Sequence, residues 1–154
     1  MDLTILIGLQ ASGKSTFYRA RFAATHVYVS KDLMGHNRHK ARRQQELITA
    51  ALAAGQSVVV DNTTPTVEER APLIALGHAY GAPVIGYYFE SGVGASLERN
   101  KGHEGAARVP DVAIFATVKR LQRPSYAEGF DRLYDVRIVG DGAFEVIDRP
   151  GEIG

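Results

Sequence analysis

Cysteine is absent from this 154-residue chain, so neither a disulfide nor a thiolate metal site can contribute to its fold or chemistry. Long apolar runs are absent as well. No stretch approaches the roughly 20 residues of a membrane-spanning helix, and no membrane partner is expected. The first residues lack the basic, apolar and small-residue succession of a secretory signal. Repeats, low-complexity tracts and linkers are missing too, and a length of 154 residues suits one domain over 1–154. His26 and His78 have no metal-ligand spacing with each other or with carboxylates, and read as surface or core-edge residues. Aromatic and basic residues do not interleave in the manner of an RNA-recognition surface.

What is present begins almost at once. The apolar run Leu3-Thr4-Ile5-Leu6-Ile7 leads straight into Gly8-Leu9-Gln10-Ala11-Ser12-Gly13-Lys14-Ser15-Thr16. This is G-x-x-x-x-G-K-[ST] with a strand before it and a helix after it, the context in which that motif cradles phosphates. The glycines let successive N–H groups turn inward at a helix N-terminus, forming an anion nest. Gly8, Gln10, Ala11, Ser12, Gly13, Lys14, Ser15 and Thr16 are therefore the candidate nucleotide-binding residues. Lys14 supplies a mobile cation for the β- and γ-phosphates, and Ser15 a hydroxyl for Mg²⁺. ATP or another nucleoside triphosphate, with Mg²⁺, is the expected cofactor pair, and the expected cytoplasmic setting rests on use of that triphosphate.

Charge is nearly balanced at +1 yet unevenly spread. Residues 1–43 hold eight Lys or Arg against two Asp, a net +6, and the remainder carries −5. The cluster His36-Asn37-Arg38-His39-Lys40-Ala41-Arg42-Arg43 is denser than solvation of a helix face requires and points to a polyanionic partner.

Strand and helix patterns alternate, predicting an α/β fold with a mainly parallel sheet flanked by helices. Expected helices cover about Lys14–Phe22, Arg38–Ala54, a segment opened by Thr64-Pro65 and running to about Tyr80, Ala95–Asn100, and Pro110–Leu121. Expected strands after the first are Val27–Ser30, Ser57–Asp61 and Pro83–Phe89, with Tyr87, Tyr88 and Phe89 in the core. Leu133–Val139 and Ala143–Ile147 read as a C-terminal hairpin around Gly140-Asp141-Gly142.

Ligands of parallel sheets gather beyond the carboxyl ends of the strands. Three polar groups reach that edge: the phosphate loop, Lys31-Asp32, and Asp61-Asn62-Thr63. Asp61 ends an apolar strand in the manner of an acid that organises Mg²⁺, often through water. Asp32 ends another strand, from which it could face an acceptor hydroxyl as general base. Aspartate is equally at home as a helix N-cap, which is the plainer alternative for both. The glycine-broken segment after residue 98 carries Arg99, Lys101, His103 and Arg108 and reads as a lid. Arg99 and Arg108 are its stronger candidates for the transferring phosphoryl, because a guanidinium forks onto phosphate oxygens.

Several of these segments together resemble the kinase domain of 5′-hydroxyl polynucleotide kinases. The resemblance rests on the phosphate loop, Val29-Ser30-Lys31-Asp32, Val60-Asp61-Asn62-Thr63-Thr64-Pro65-Thr66, and Arg99-Asn100 followed by Arg108-Val109-Pro110-Asp111. Pro124-Ser125-Tyr126-Ala127-Glu128-Gly129-Phe130 is similar to a segment of the animal end-repair kinases. The resemblance implies transfer of the ATP γ-phosphoryl to the 5′-hydroxyl end of DNA or RNA. It implies that Asp32 accepts the proton, that Asp61, Asn62 and Thr63 shape the acceptor site, and that Arg99 is a lid arginine. Phage-type members place a second lid arginine where this chain has His103, which leaves open whether Arg108 or His103 replaces it. They also place an arginine where this chain has Gly35, and Arg38 is the candidate for the acceptor phosphate instead. No phosphatase or ligase module accompanies the motifs, so any end-repair partner is expected on another chain. Two other functions fit the same motifs: a P-loop kinase for a small-molecule acceptor, of the antibiotic- or nucleotide-sugar-kinase kind, and a nucleotide-dependent switch without phosphotransfer.

Overall fold

A computed structural model of the chain describes residues 1–31, 39–90, 92–102, 109–139 and 143–151. Its strands are β1 (Leu3–Ile7), β2 (His26–Val29), β3 (Ser57–Asp61), β4 (Val84–Phe89), β5 (Arg132–Val139) and β6 (Ala143–Arg149). Between them lie the helices α1 (Lys14–Arg21), α2 (Lys40–Ala53), α3 (Val67–Ala79), α4 (Val93–Lys101) and α5 (Asp111–Arg120). Among the described residues these strands form one six-stranded sheet in the order β2-β3-β1-β4-β5-β6. The first five run parallel and β6 pairs antiparallel with β5, from Leu133 opposite Arg149 to Val139 opposite Ala143. The expected fold class and closing hairpin are both present.

The central strands carry apolar residues on both faces, Thr4, Ser57 and Asp61 apart, because helices cover both faces. Every residue of β1 is buried, and in β3 only Ser57 is not. Side chains alternate between faces. Leu3, Ile5 and Ile7 join Val58 and Val60 beneath Ile48 and Leu52 of α2 and Leu73 and Ile74 of α3. Leu6 and Val59 turn the other way, onto Phe17 of α1 and Phe89 of β4. Burial of each such Leu, Ile or Phe contributes roughly 1.5–3 kcal/mol. Phe17 anchors the second face, with ring centroids 5.1 Å from Phe144, 5.2 Å from Phe89 and 5.3 Å from Tyr87. Of the expected core triad, Phe89 is buried, whereas Tyr87 and Tyr88 are half-buried with their rings packed against the two clusters.

The helix ends refine the sequence expectations. α4 extends beyond Ala95–Asn100 at both ends. α3 starts two residues later than Thr64-Pro65 predicts: Thr66 is the N-cap, its hydroxyl accepting from the Glu69 N–H at 3.2 Å. Thr64 has instead a left-handed backbone with φ +36°, so it cannot cap. His26 and His78 sit at the edge of the fold as expected, each against an aspartate, Asp2 and Asp131 respectively.

Candidate active site

The phosphate loop joins the carboxyl end of β1 to the first turn of α1, and its path depends on residues that accept left-handed backbone. Ala11 has φ +58° and Gly13 φ +96°. At Gly13 a side chain is excluded twice over. A Cβ there would lie 3.0 Å from Ile138 Cδ1, 3.3 Å from Phe144 Cε1 and 3.4 Å from Arg99 Nη1. The β5–β6 pair and α4 therefore come up against the loop at this glycine. Lys14 is buried, and its Nζ donates to the carbonyls of Gly8 at 3.1 Å and Leu9 at 2.8 Å. Gln10 donates from Nε2 to Thr117 Oγ1 at 2.9 Å, tying the loop to α5, while its Oε1 is buried with no partner among the described residues. Thr16 is exposed on α1 and Ser12 is buried in the loop.

Ser15 and Asp61 come together. Ser15 Oγ donates to Asp61 Oδ2 at 2.9 Å, across the 46 residues that separate them in sequence. A hydroxyl and a carboxylate side by side are a hard-oxygen pair of the kind Mg²⁺ takes, with water and phosphate completing its octahedron. These residues fit the metal that the loop motif implies. Sequence reading missed a third member of the group: Tyr28 on β2 donates its hydroxyl to the same Asp61 Oδ2 at 2.5 Å. Burial, reinforced by the Asp61 carboxylate, pushes the Tyr28 phenol up to about 12, so it remains a donor at any physiological pH.

One residue beyond the end of β3, the chemistry changes. Asn62 Oδ1 accepts from the Lys31 backbone N–H at 3.0 Å and from Gln44 Nε2 at 3.2 Å, and Asn62 Nδ2 returns a bond to Gln44 Oε1 at 3.0 Å. Both ends of the Asn62 amide are thus engaged, and they fasten β3 to α2 and to the residue that precedes Asp32. Beside this pair lies a cleft of about 130 Å³, lined by Lys31, Gln44, Asn62, Thr63, Thr64 and Glu69 among others. Neither Tyr28 nor Gln44 carries a motif, and only the β2–β3 pairing and the seating of α2 bring them to Asp61 and Asn62.

On the opposite rim, Arg99 extends from α4 toward Gly13, and its Nη1 is buried with no hydrogen-bond partner among the described residues. A guanidinium nitrogen left without an acceptor beside an anion nest suits a phosphate oxygen. The buried Asn100 ties α4 to Val109: its Nδ2 donates to the Val109 carbonyl at 2.6 Å and its Oδ1 accepts from the Val109 N–H at 2.9 Å. Asp32, Arg38, His103 and Arg108 lie outside the described residues. No helix among the described residues is long and apolar enough to cross a membrane.

The AAA-domain family model matches residues 3–124. The bifunctional polynucleotide phosphatase/kinase of Schizosaccharomyces pombe is 26% identical over 142 residues, covering 88% of this chain and 33% of that protein. The chain thus spans about a third of the length of this curated relative. Among solved structures, a fungal RNA kinase superposes with a TM-score of 0.68 at 15% identity, over 90% of this chain and 38% of the other. A gluconokinase from Sinorhizobium meliloti 1021 superposes with a TM-score of 0.63 at 18% identity, over 90% of this chain and 83% of the other. On its phosphate loop, its strand order and the extent of that family match, the chain belongs to the AAA-domain family, with the fold of the nucleotide-binding P-loop kinases.

Proposed function

We propose that the chain is an ATP-dependent kinase that phosphorylates the 5′-hydroxyl end of DNA or RNA. The observation that carries this reading is the division of labour along the end of β3. Asp61 faces the phosphate loop through Ser15, and Asn62, its neighbour, faces the cleft and the backbone that leads to Asp32. A donor side and an acceptor side thus meet on adjacent residues. The resemblance of the Asp61–Thr66 and Arg99–Asp111 segments to polynucleotide kinases, and the similarity to a polynucleotide phosphatase/kinase, support the acceptor class.

In this mechanism Lys14 leaves its loop carbonyls for the β- and γ-phosphates, and the inward N–H groups of residues 8–16 cradle the chain of phosphates. Ser15 and Asp61 would hold Mg²⁺, which when bound would supply positive charge against the phosphates. Asp32 accepts the proton of the 5′-hydroxyl as that oxygen bonds to the γ-phosphorus and the β–γ bridging bond breaks, releasing ADP. Arg99 donates to the equatorial oxygens of the phosphoryl in flight. Arg38 and Arg108 serve the acceptor phosphate and the lid.

The test is incubation with γ-labelled ATP, Mg²⁺ and a 5′-hydroxyl oligonucleotide beside its 5′-phosphorylated twin. Label on the first alone is the expected result. Transfer to neither favours a second reading, a small-molecule kinase, which the modest volume of the cleft and the gluconokinase-like fold support. Salt separates the two further. A polynucleotide acceptor weakens steeply as salt rises because phosphate contacts release counterions, and a neutral small acceptor does not.

A further inference from the structure

Behind the cleft lies an ion pair that the mechanism does not use. Arg70 of α3 is fully buried, and its partner Glu128 nearly so, with 5% of its side chain exposed. Arg70 Nε donates to Glu128 Oε1 at 2.7 Å and Nη2 to Oε2 at 3.1 Å, while Glu128 Oε2 also accepts from the Ser125 N–H at 2.9 Å. The third guanidinium nitrogen, Nη1, donates to the backbone carbonyl of Thr64 at 2.9 Å. Desolvating two charges costs about as much as their attraction returns, and well-packed apolar residues of similar volume often serve stability as well or better. Stability alone therefore does not account for the pair. The bond to Thr64 is what an apolar pair could not make.

Thr64 needs such a bond. It is a β-branched residue at φ +36°, buried, with a hydroxyl that finds no partner among the described residues. Strain of this kind persists only where the surroundings over-determine it. The same segment is fastened twice more from behind: Gln122 N–H donates to the Pro65 carbonyl at 2.7 Å, and Gln122 Oε1 accepts from the Val67 N–H at 2.8 Å. Ahead of the strained residue stand Asp61, Asn62 and Thr63, and Thr63 and Thr64 both line the cleft.

We propose that the buried Arg70–Glu128 pair is a clamp that positions the acceptor side of the site, holding the Asp61–Pro65 segment in its strained course through the Thr64 carbonyl. Arg70 is on this view a positioning residue. The part of the proposal that concerns the acceptor rests on the reading of the cleft given above. The clamp itself does not.

The test is the double variant R70M/E128L in the otherwise intact chain, with two readouts. Hydrogen exchange at the amides of Asn62, Thr63, Thr64 and Thr66 is expected to accelerate while exchange in β1 and β4 stays as in wild type. In kinetics, kcat/KM for the 5′-hydroxyl oligonucleotide is expected to fall roughly 10- to 100-fold, with ATP affinity within about twofold of wild type. Adding Thr64→Gly, which adopts φ +36° without help, is expected to recover part of that loss. A merely structural role predicts instead that ATP affinity and acceptor kinetics decline together, and that Thr64→Gly rescues nothing. Should the double variant not fold, both readouts are taken on Arg70→Lys, which keeps a charge against Glu128 but gives up the guanidinium fork. Unchanged exchange over 62–66 overturns the clamp. Accelerated exchange with unchanged acceptor kinetics overturns its bearing on the acceptor. If the wild-type chain phosphorylates no 5′-hydroxyl end, the functional reading fails alone and exchange still decides the clamp.

Discussion

Lys14 is a buried cation held over the carbonyls of its own loop, an arrangement that keeps the ammonium solvated by backbone until stronger acceptors displace those oxygens. The proposed roles of Lys14 and Asp32 are expected to separate in kinetics. Asp32→Asn is expected to lower turnover by roughly 10²–10⁴-fold with nucleotide affinity nearly unchanged, whereas Lys14→Ala lowers both. Steady-state rates beside a nucleotide titration measure the split, and wild-type turnover in Asp32→Asn would remove the base assignment. Lys14, Ser15 and Asp61 were legible because each sits in a local pattern, a glycine-rich turn or the end of an apolar strand. Tyr28 and Gln44 were not, because nothing within a few residues of either marks it. Their meaning comes from Asp61, 33 positions away, and Asn62, 18 positions away.

At the scale of elements, the packing of α3 on the sheet is tighter than its sequence suggests. A Cβ on Gly77 would lie 2.6 Å from Val84 Cγ2 and 3.1 Å from Leu3 Cδ2, so this helix approaches β4 and β1 at a point where only hydrogen fits. Gly77→Ala gains helix propensity yet forces the two layers apart, and a net loss of about 1–3 kcal/mol is expected. Denaturant titration checks it; an unchanged midpoint would mean that the helix can slide. Elements built on strong local signals, β1, β3, β4 and the β5–β6 hairpin, fall close to where composition and alternation place them. The start of α3 does not. Threonine followed by proline is a good helix opening in isolation, but the Arg70 bond to the Thr64 carbonyl and the Gln122 bonds to Pro65 and Val67 hold that segment off, and the cap passes to Thr66. Gln122, and the Glu128 that fixes Arg70 in place, lie in the chain after α5, which no window around Thr64 contains.

For the whole molecule, the aromatic layer between α1 and the sheet sets an alkaline limit. Tyr87 stacks on Tyr134 with ring centroids 4.9 Å apart, and burial, aided by that neighbour, pushes its phenol up to about 12. A group whose folded value exceeds its unfolded value of 10.0 stabilises fully below that pH, and its contribution disappears as pH rises toward about 12. Stability is therefore expected to fall between about pH 10 and about pH 12, with a shallower fall in Tyr87→Phe. Denaturation midpoints across that range, wild type against variant, measure the difference; parallel curves would exclude Tyr87 as the cause.

The place of β3, between the strand that bears the phosphate loop and the strand that runs into Lys31 and Asp32, has one last consequence. The two outer strands are separated by two ladder spacings, close to 10 Å, and that interval is written in peptide hydrogen bonds. Side-chain substitution can retune what is gripped at either end of this ruler but cannot shorten or stretch it. Under the proposed function, a change of substrate in this scaffold would therefore come from repopulating the walls of the hollow between α2 and α3, while the interval between the two strand ends stays the same.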